Sequence, residues 1–302
     1  MTTESAPAVR LGVLMVPTDP WPVAVARARQ LEALGFAHLW TYDHLSWRRF
    51  RDHPWHATVP WLTGIAAATS SIRVGTMVTS PNFRHPVTLA KDAMTIDHIS
   101  NGRLTLGIGA GGVGFDAEVF GQAILTPGER AARLDDFVGT LDALLRQPEY
   151  SGRNAHYTVQ GARMLPGCVQ QPRVPLAIAA GGPRTMGTAA RYADAWITDG
   201  TLPGPGTADD RMRAHVEVLL RACERADRDP ATLDRIYLSG NTDDRPLASL
   251  ASFVDFVGRQ QALGFTDIVF HDPRPGDRFW DDDPAVVDQI ADWSTGASTP
   301  TQ

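Results

Sequence analysis

The segment LEALGFAHLWTYDH at residues 31–44 is echoed near the other end of the chain by QQALGFTDIVFHD at 260–272. In both, a helical run ends on a leucine. A glycine follows, where a left-handed cap costs least, then a phenylalanine, then a short apolar strand ending in polar residues. That is the passage from helix to strand of a repeated strand–helix unit. Finding it both early and late predicts a closed barrel rather than an open sheet. Outward from these two copies, short apolar runs alternate with amphipathic stretches. Strands are predicted at 11–17, 37–41, 72–79, 103–109, 175–180, 195–198, 235–239 and 267–271. Helices are predicted at 23–34, 59–69, 87–99, 127–146, 183–192, 207–226, 247–263 and 284–293. Eight strands is the number a closed parallel barrel needs. Runs such as IRVGTMVT (72–79) and PLAIAA (175–180) are largely apolar, as strands covered on both faces must be. The expected fold class is α/β, one (β/α)8 TIM barrel with loop insertions. No linker rich in Ser, Gly or Pro divides 1–302, so one domain is expected, with 1–9 and 295–302 as disordered tails.

The bulk properties narrow the function. The chain has 302 residues, 43% hydrophobic and 21% charged, an ordinary globular balance. A net charge of -6 and a pI near 5.8 argue against a nucleic-acid partner. Cys168 and Cys223 show no metal-ligand spacing and read as free thiols in a reducing compartment. LGVLMVP (11–17) is too short for a signal sequence or a membrane span, so a cytoplasmic protein with no membrane partner is expected.

Three connections are too long for simple turns: 42–58, 110–126 and 148–174. The first two follow strand ends, on the face where barrel enzymes carry their chemistry. Trp47, Phe50, Trp55, Phe115 and Phe120 predict that these two are packed, and Trp47 and Phe115 are candidate substrate contacts. In AAGGPRTMG (179–187) a strand ends at Ala180, two glycines turn the chain and a helix opens at Pro183. Bare backbone and free N–H groups at a helix start suit a phosphate; a tight turn without ligand is the alternative. IGAGGVGFD (108–116) superficially suggests a dinucleotide fingerprint, but no suitable helix opens there. It reads instead as backbone passing close to a flat ligand at Gly109 and Gly112, against the alternative of a flexible loop. Asp43 and His44, in TYDHLSW (41–47), end the second strand and should reach the barrel mouth. VGTMVTSPNFRHP (74–86) lines the cavity edge, His85 reads as a structural cap, and His271 could face the mouth as a substrate contact. His53 and His56 have no metal-ligand pattern, so no metal site is expected.

The series ALGFAHLWTYDH (33–44), AAATSSIRVGTMVTSPNFRHPVTLAKDAMTIDHISNGRLTLGIGAGG (66–112) and VPLAIAAGGPRTMGTAARYADAWITDG (174–200) resembles the luciferase-like monooxygenase family. It is most similar to the branch that uses coenzyme F420, a 5-deazaflavin. The resemblance spans roughly 11–200. It implies an oxidoreductase that moves hydride between F420 and a small organic substrate. It implies that Asp43 and His44 form an acid–histidine pair beside the ring, and that a non-prolyl cis peptide joins Met77 and Val78 behind it. Thr79 and Ser80 would lie alongside, and Gly181, Gly182 and Pro183, with Ala180 before them, would form the phosphate loop. Some relatives carry a glutamate where this chain has Gly112, which favours reduction of C=C or C=N bonds over alcohol oxidation. Arg48, Arg49 and Arg51 could meet the acidic tail of F420, although a solvated charged loop explains them equally well. The alternative cofactor is FMN in an oxygen-activating monooxygenase. A flavin-binding protein without turnover is a third reading, against which the Asp43–His44 pair speaks. A homodimer is expected.

Overall fold

The computed structural model describes residues 9–47 and 50–296. Eight parallel strands close into a barrel in the order β1-β10-β9-β8-β7-β4-β3-β2. They are β1 (Arg10–Leu14), β2 (His38–Thr41), β3 (Arg73–Thr76), β4 (Leu104–Ile108), β7 (Leu176–Ala179), β8 (Ala195–Thr198), β9 (Asp234–Leu238) and β10 (Asp267–His271). Around them stand α1 (Trp21–Ala33), α2 (Thr58–Ala68), α3 (Pro86–Ile99), α4 (Pro127–Arg146), α5 (Pro183–Tyr192), α6 (Ala208–Arg225), α7 (Leu250–Ala262) and α8 (Ala285–Ser294). The predicted eightfold alternation is therefore the architecture.

The two echoing turns fold alike. Gly35 and Gly264 take φ +84° and +82°, the left-handed cap that glycine adopts without a Cβ penalty. Behind them Phe36 and Phe265 are buried, and their N–H groups donate to the carbonyls of Leu31 and Gln260. The late copy feeds β10, which pairs with β1 and closes the barrel.

The structure corrects two details. The predicted strand 72–79 stops at Thr76: the Met77–Val78 peptide is cis, as expected, and Thr79 rejoins β4 through a single bridge to Ile108. The connection 148–174 is no open loop. It holds an antiparallel hairpin, β5 (Glu149–Arg153) and β6 (Thr158–Arg163), outside the barrel. β5 alternates exposed and half-buried residues and β6 buries only Val159, so neither has the apolar run that marked the barrel strands. At the termini, Val9 packs against the core and Thr295 hydrogen-bonds Ala291, so the ordered chain reaches into both predicted tails; the remaining tail residues lie outside the described ones.

Candidate active site

The strands all end at one rim, and the connections 42–58 and 110–126 lie there. Trp47 and Phe50 from 42–58 are buried and stack with Trp280 from the connection after β10, the Trp47 and Trp280 rings lying 7° from parallel. Phe120 corrects the packing expected of 110–126, since it is 58% exposed. The side chain of Phe115, like Arg48 and Arg49, lies outside the described residues. Inside this rim is a cavity of about 500 Å³. Trp47, Met77, Val78, Ser80, His44 and Gly109 line it. So do Gly112, Ala180 and Gly181, which brings together nine of the predicted site residues.

One wall is backbone. A Cβ on Gly109 would stand 2.7 Å from Val78 Cγ2, whereas at Gly112 and Gly181 nothing lies within 4 Å. The glycine run thus packs against the cis-peptide segment on one side and leaves free space on the other. Asn82 holds this run in place, its amide donating to the Gly112 carbonyl at 3.1 Å. At the far end of the wall α5 begins. The N–H groups of Gly181 and Gly182 face Thr185 Oγ1 at 3.2 Å, and the first turn contains no acid. An anion there meets a helix N-terminus with no like charge built in. Gly182 and Pro183 flank the cavity rather than line it.

The acid–histidine pair is not the one expected. Asp43 is buried, and both its oxygens accept from Arg84, at 2.7 and 2.9 Å. It does not touch His44 and is absent from the cavity lining. Adjacent residues leaving a strand diverge, and Arg84 claims the side that Asp43 takes. Burial works against the Arg84 guanidinium, but Asp43 outweighs it and holds the charge above its ordinary pKa. Burial likewise pushes the neighbouring Asp92 carboxyl up.

His44 pairs instead with Asp116, 72 residues on, through a short contact between its Nδ1 and Oδ2. The other Asp116 oxygen accepts from the Leu45 N–H at 2.7 Å. Asp116 is 5% exposed, sits on a 3-10 turn (Phe115–Ala117) and lines the cavity with His44. His271 corrects another expectation: it is buried outside the lining. Its Nδ1 donates to the Ser239 carbonyl at 2.9 Å, so its Nε2 accepts from the Tyr42 hydroxyl at 2.7 Å, and its ring stacks on Trp280. It braces Tyr42, which does line the cavity. Thr79 is buried behind the lining.

Sequence reasoning missed Tyr42, Asn82, Arg84, Asp116 and His215. Asp116 ended a quoted motif, yet nothing local said that it would reach His44. His215 lies on α6, where amphipathic spacing hides it; burial draws its imidazole down, against a carbonyl of Ala180 at 3.4 Å. Among the described residues no group of three or more His, Cys, Asp or Glu could hold a metal, and no helix is long and apolar enough to cross a membrane.

Comparison with known proteins places these features in context. The pattern of the luciferase-like monooxygenase family matches residues 3–277. An uncharacterized protein of Mycobacterium tuberculosis is 27% identical, over 93% of this chain and 96% of its own. An F420-dependent glucose-6-phosphate dehydrogenase of Amycolatopsis mediterranei is 31% identical, over 72% of this chain and 65% of its own. Among solved structures, an F420-dependent secondary alcohol dehydrogenase, in complex with an F420–acetone adduct, superposes with a TM-score of 0.78 at 15% identity, covering 94% of this chain and 99% of that one. At that identity the likeness speaks for the fold.

Proposed function

As this chain belongs to the luciferase-like monooxygenase family and is an oxidoreductase, we propose that it binds coenzyme F420 and moves a hydride from it to a small organic substrate, reducing a C=C or C=N bond. The observation that carries the reading is the bare-backbone wall, Gly109 to Gly112, running between the Met77–Val78 segment and the start of α5 in one cavity. A flat ring with a phosphate arm requires close approach at one end and N–H groups at the other, and these residues fit both demands. The dehydrogenase relatives favour the deazaflavin.

In this reading Met77, Val78 and Gly109 bound the ring, and Gly181, Gly182 and the α5 N-terminus hold the phosphate. When bound, F420 supplies the hydride. Trp47 and Tyr42, braced by His271, exclude water. His44, once protonated, gives the substrate its proton; general acid help of this kind is worth roughly 10²–10⁴ in rate. The lining carboxylates are engaged, Asp116 with His44 and Leu45, and Asp199 with Thr201. The reductive direction is favoured by Gly112, which puts no carboxylate at the end of the glycine run.

The test is fluorescence titration with F420 and, separately, FMN, followed by oxidation of reduced F420 with 2-cyclohexen-1-one as acceptor. We expect F420 quenching at micromolar protein, weaker FMN binding, and acceptor-dependent oxidation. Tight FMN binding without an F420 response overturns the cofactor assignment. Oxidation of 2-propanol with no enone reduction overturns the direction.

A further inference from the structure

The contact between His44 and Asp116 has a geometry that fixes where protons sit. Asp116 presents two oxygens to two different partners. The Leu45 backbone N–H can only donate, so it occupies Oδ1 as a donor. An ionised carboxylate can only accept, so the ring atom facing Oδ2, Nδ1, carries a hydrogen. In a neutral imidazole the other nitrogen, Nε2, then holds the lone pair. The ring is confined as well: Tyr42, Trp47 and Trp55 lie around it, the Trp47 plane 21° from its own. The Trp55 indole donates to the His44 carbonyl at 2.8 Å, which ties the backbone beneath. The next charges out are spoken for, because Arg84 is committed to Asp43.

We propose that Asp116 is the positioning residue of the active site: it fixes His44 as the Nδ1–H tautomer, so that Nε2 takes up a proton from solvent and then gives it to the reduced substrate, with the Asp116 carboxylate facing the imidazolium in between. Asp116 comes from the connection 110–126, while His44 follows β2. The site is complete only when the glycine wall and the β2 rim are docked together, so the same loop that lines the cavity sets the chemistry of the histidine. The inference rests on reading His44 as the proton-exchanging residue, but its central claim concerns the tautomer of the protein without cofactor.

The substitution that tests it is Asp116→Asn. The Leu45 N–H still demands an acceptor, so the amide oxygen of the new side chain takes the Oδ1 place and its NH2 turns to His44 Nδ1. Nδ1 must then accept, and the ring proton moves to Nε2. The tautomer is inverted at nearly constant shape, and the comparable change in a serine-protease triad lowers kcat about 10⁴-fold. Nitrogen NMR of 15N-histidine-labelled protein without cofactor reads this directly, with His44→Ala identifying the resonances. We expect the Nδ1–H form in the wild type and the Nε2–H form in Asp116→Asn. F420 affinity should change less than threefold, while the enone reduction rate falls about 10²–10⁴-fold. In a His44→Ala background the same substitution should cost nothing more, since residues acting as one unit are not additive. An Nε2–H wild type, an unchanged tautomer in Asp116→Asn, or a further loss in the double variant overturns the proposal. If the tautomer behaves as expected but F420 is not bound, it is the cofactor reading that fails.

Discussion

Gly182 shows how one residue separates folding from binding. Its backbone is extended, φ -116° and ψ 165°, and an added Cβ meets nothing within 4 Å. Gly182→Asp therefore costs the fold nothing, and an aspartate at an N-cap even suits the helix. It places a negative charge beside the proposed phosphate. A like charge at about 4 Å and an effective dielectric near 20 is worth about 4 kcal/mol, roughly a thousandfold in affinity. We expect an unchanged thermal midpoint and F420 binding weakened at least a hundredfold; unaltered titration removes Gly182 from the site. At this scale the sequence was legible where backbone chemistry is written in residue type, as in Gly181-Gly182-Pro183. It was not legible for Asp43, whose partner Arg84 lies 41 positions on.

At the scale of elements, β3 and β4 carry the wall of the cavity. Gly107 lies where β4 passes the end of β3, and a Cβ there would stand 1.8 Å from the Thr76 carbonyl oxygen, a backbone atom that cannot swing aside. Gly107→Ala should lower stability by at least the about 1–3 kcal/mol typical of overpacking. Gly112→Ala, with open space around it, should leave stability unchanged. Denaturant midpoints of the two variants check the contrast, and equal midpoints refute it. Strand and helix identity was readable here because both depend on local periodicity. The end of β3 was not: 72–79 is one apolar run, and nothing in residue type marks the turn at Met77. The hairpin β5–β6 escaped for the opposite reason, its strands being half exposed and weakly patterned.

At the scale of the molecule, closure depends on the seam between β1 and β10. Arg10 and Asp267 face each other across it, 2.7 Å apart at two pairs of atoms, and His38 Nε2 of β2 stands 3.0 Å from the same carboxylate. Burial alone would raise the Asp267 carboxyl, but Arg10 and His38 outweigh it and hold it at about 2. A depressed carboxylate contributes its stabilisation fully above its unfolded value, near 3.9, and loses it as pH falls towards the folded value. The window is therefore about pH 4 down to 2, and the contribution is on the order of 2 kcal/mol. Asp267→Asn should be less stable than the wild type at pH 7, with the gap narrowing as pH falls from 4 to 2. Urea midpoints across that range measure it, and a gap independent of pH counts against the seam. The sequence by itself determined the barrel, the glycine turn before α5 and the wall of glycines, because periodicity, capping and φ preference act within a few residues of one another. Only the tertiary structure decided which acid meets His44, which cation neutralises Asp43 and which strands form the seam. Those pairings join residues 41 to 257 positions apart, and only the packing of the strands side by side, with closure at β1 and β10 for the last of them, brings them within hydrogen-bonding distance.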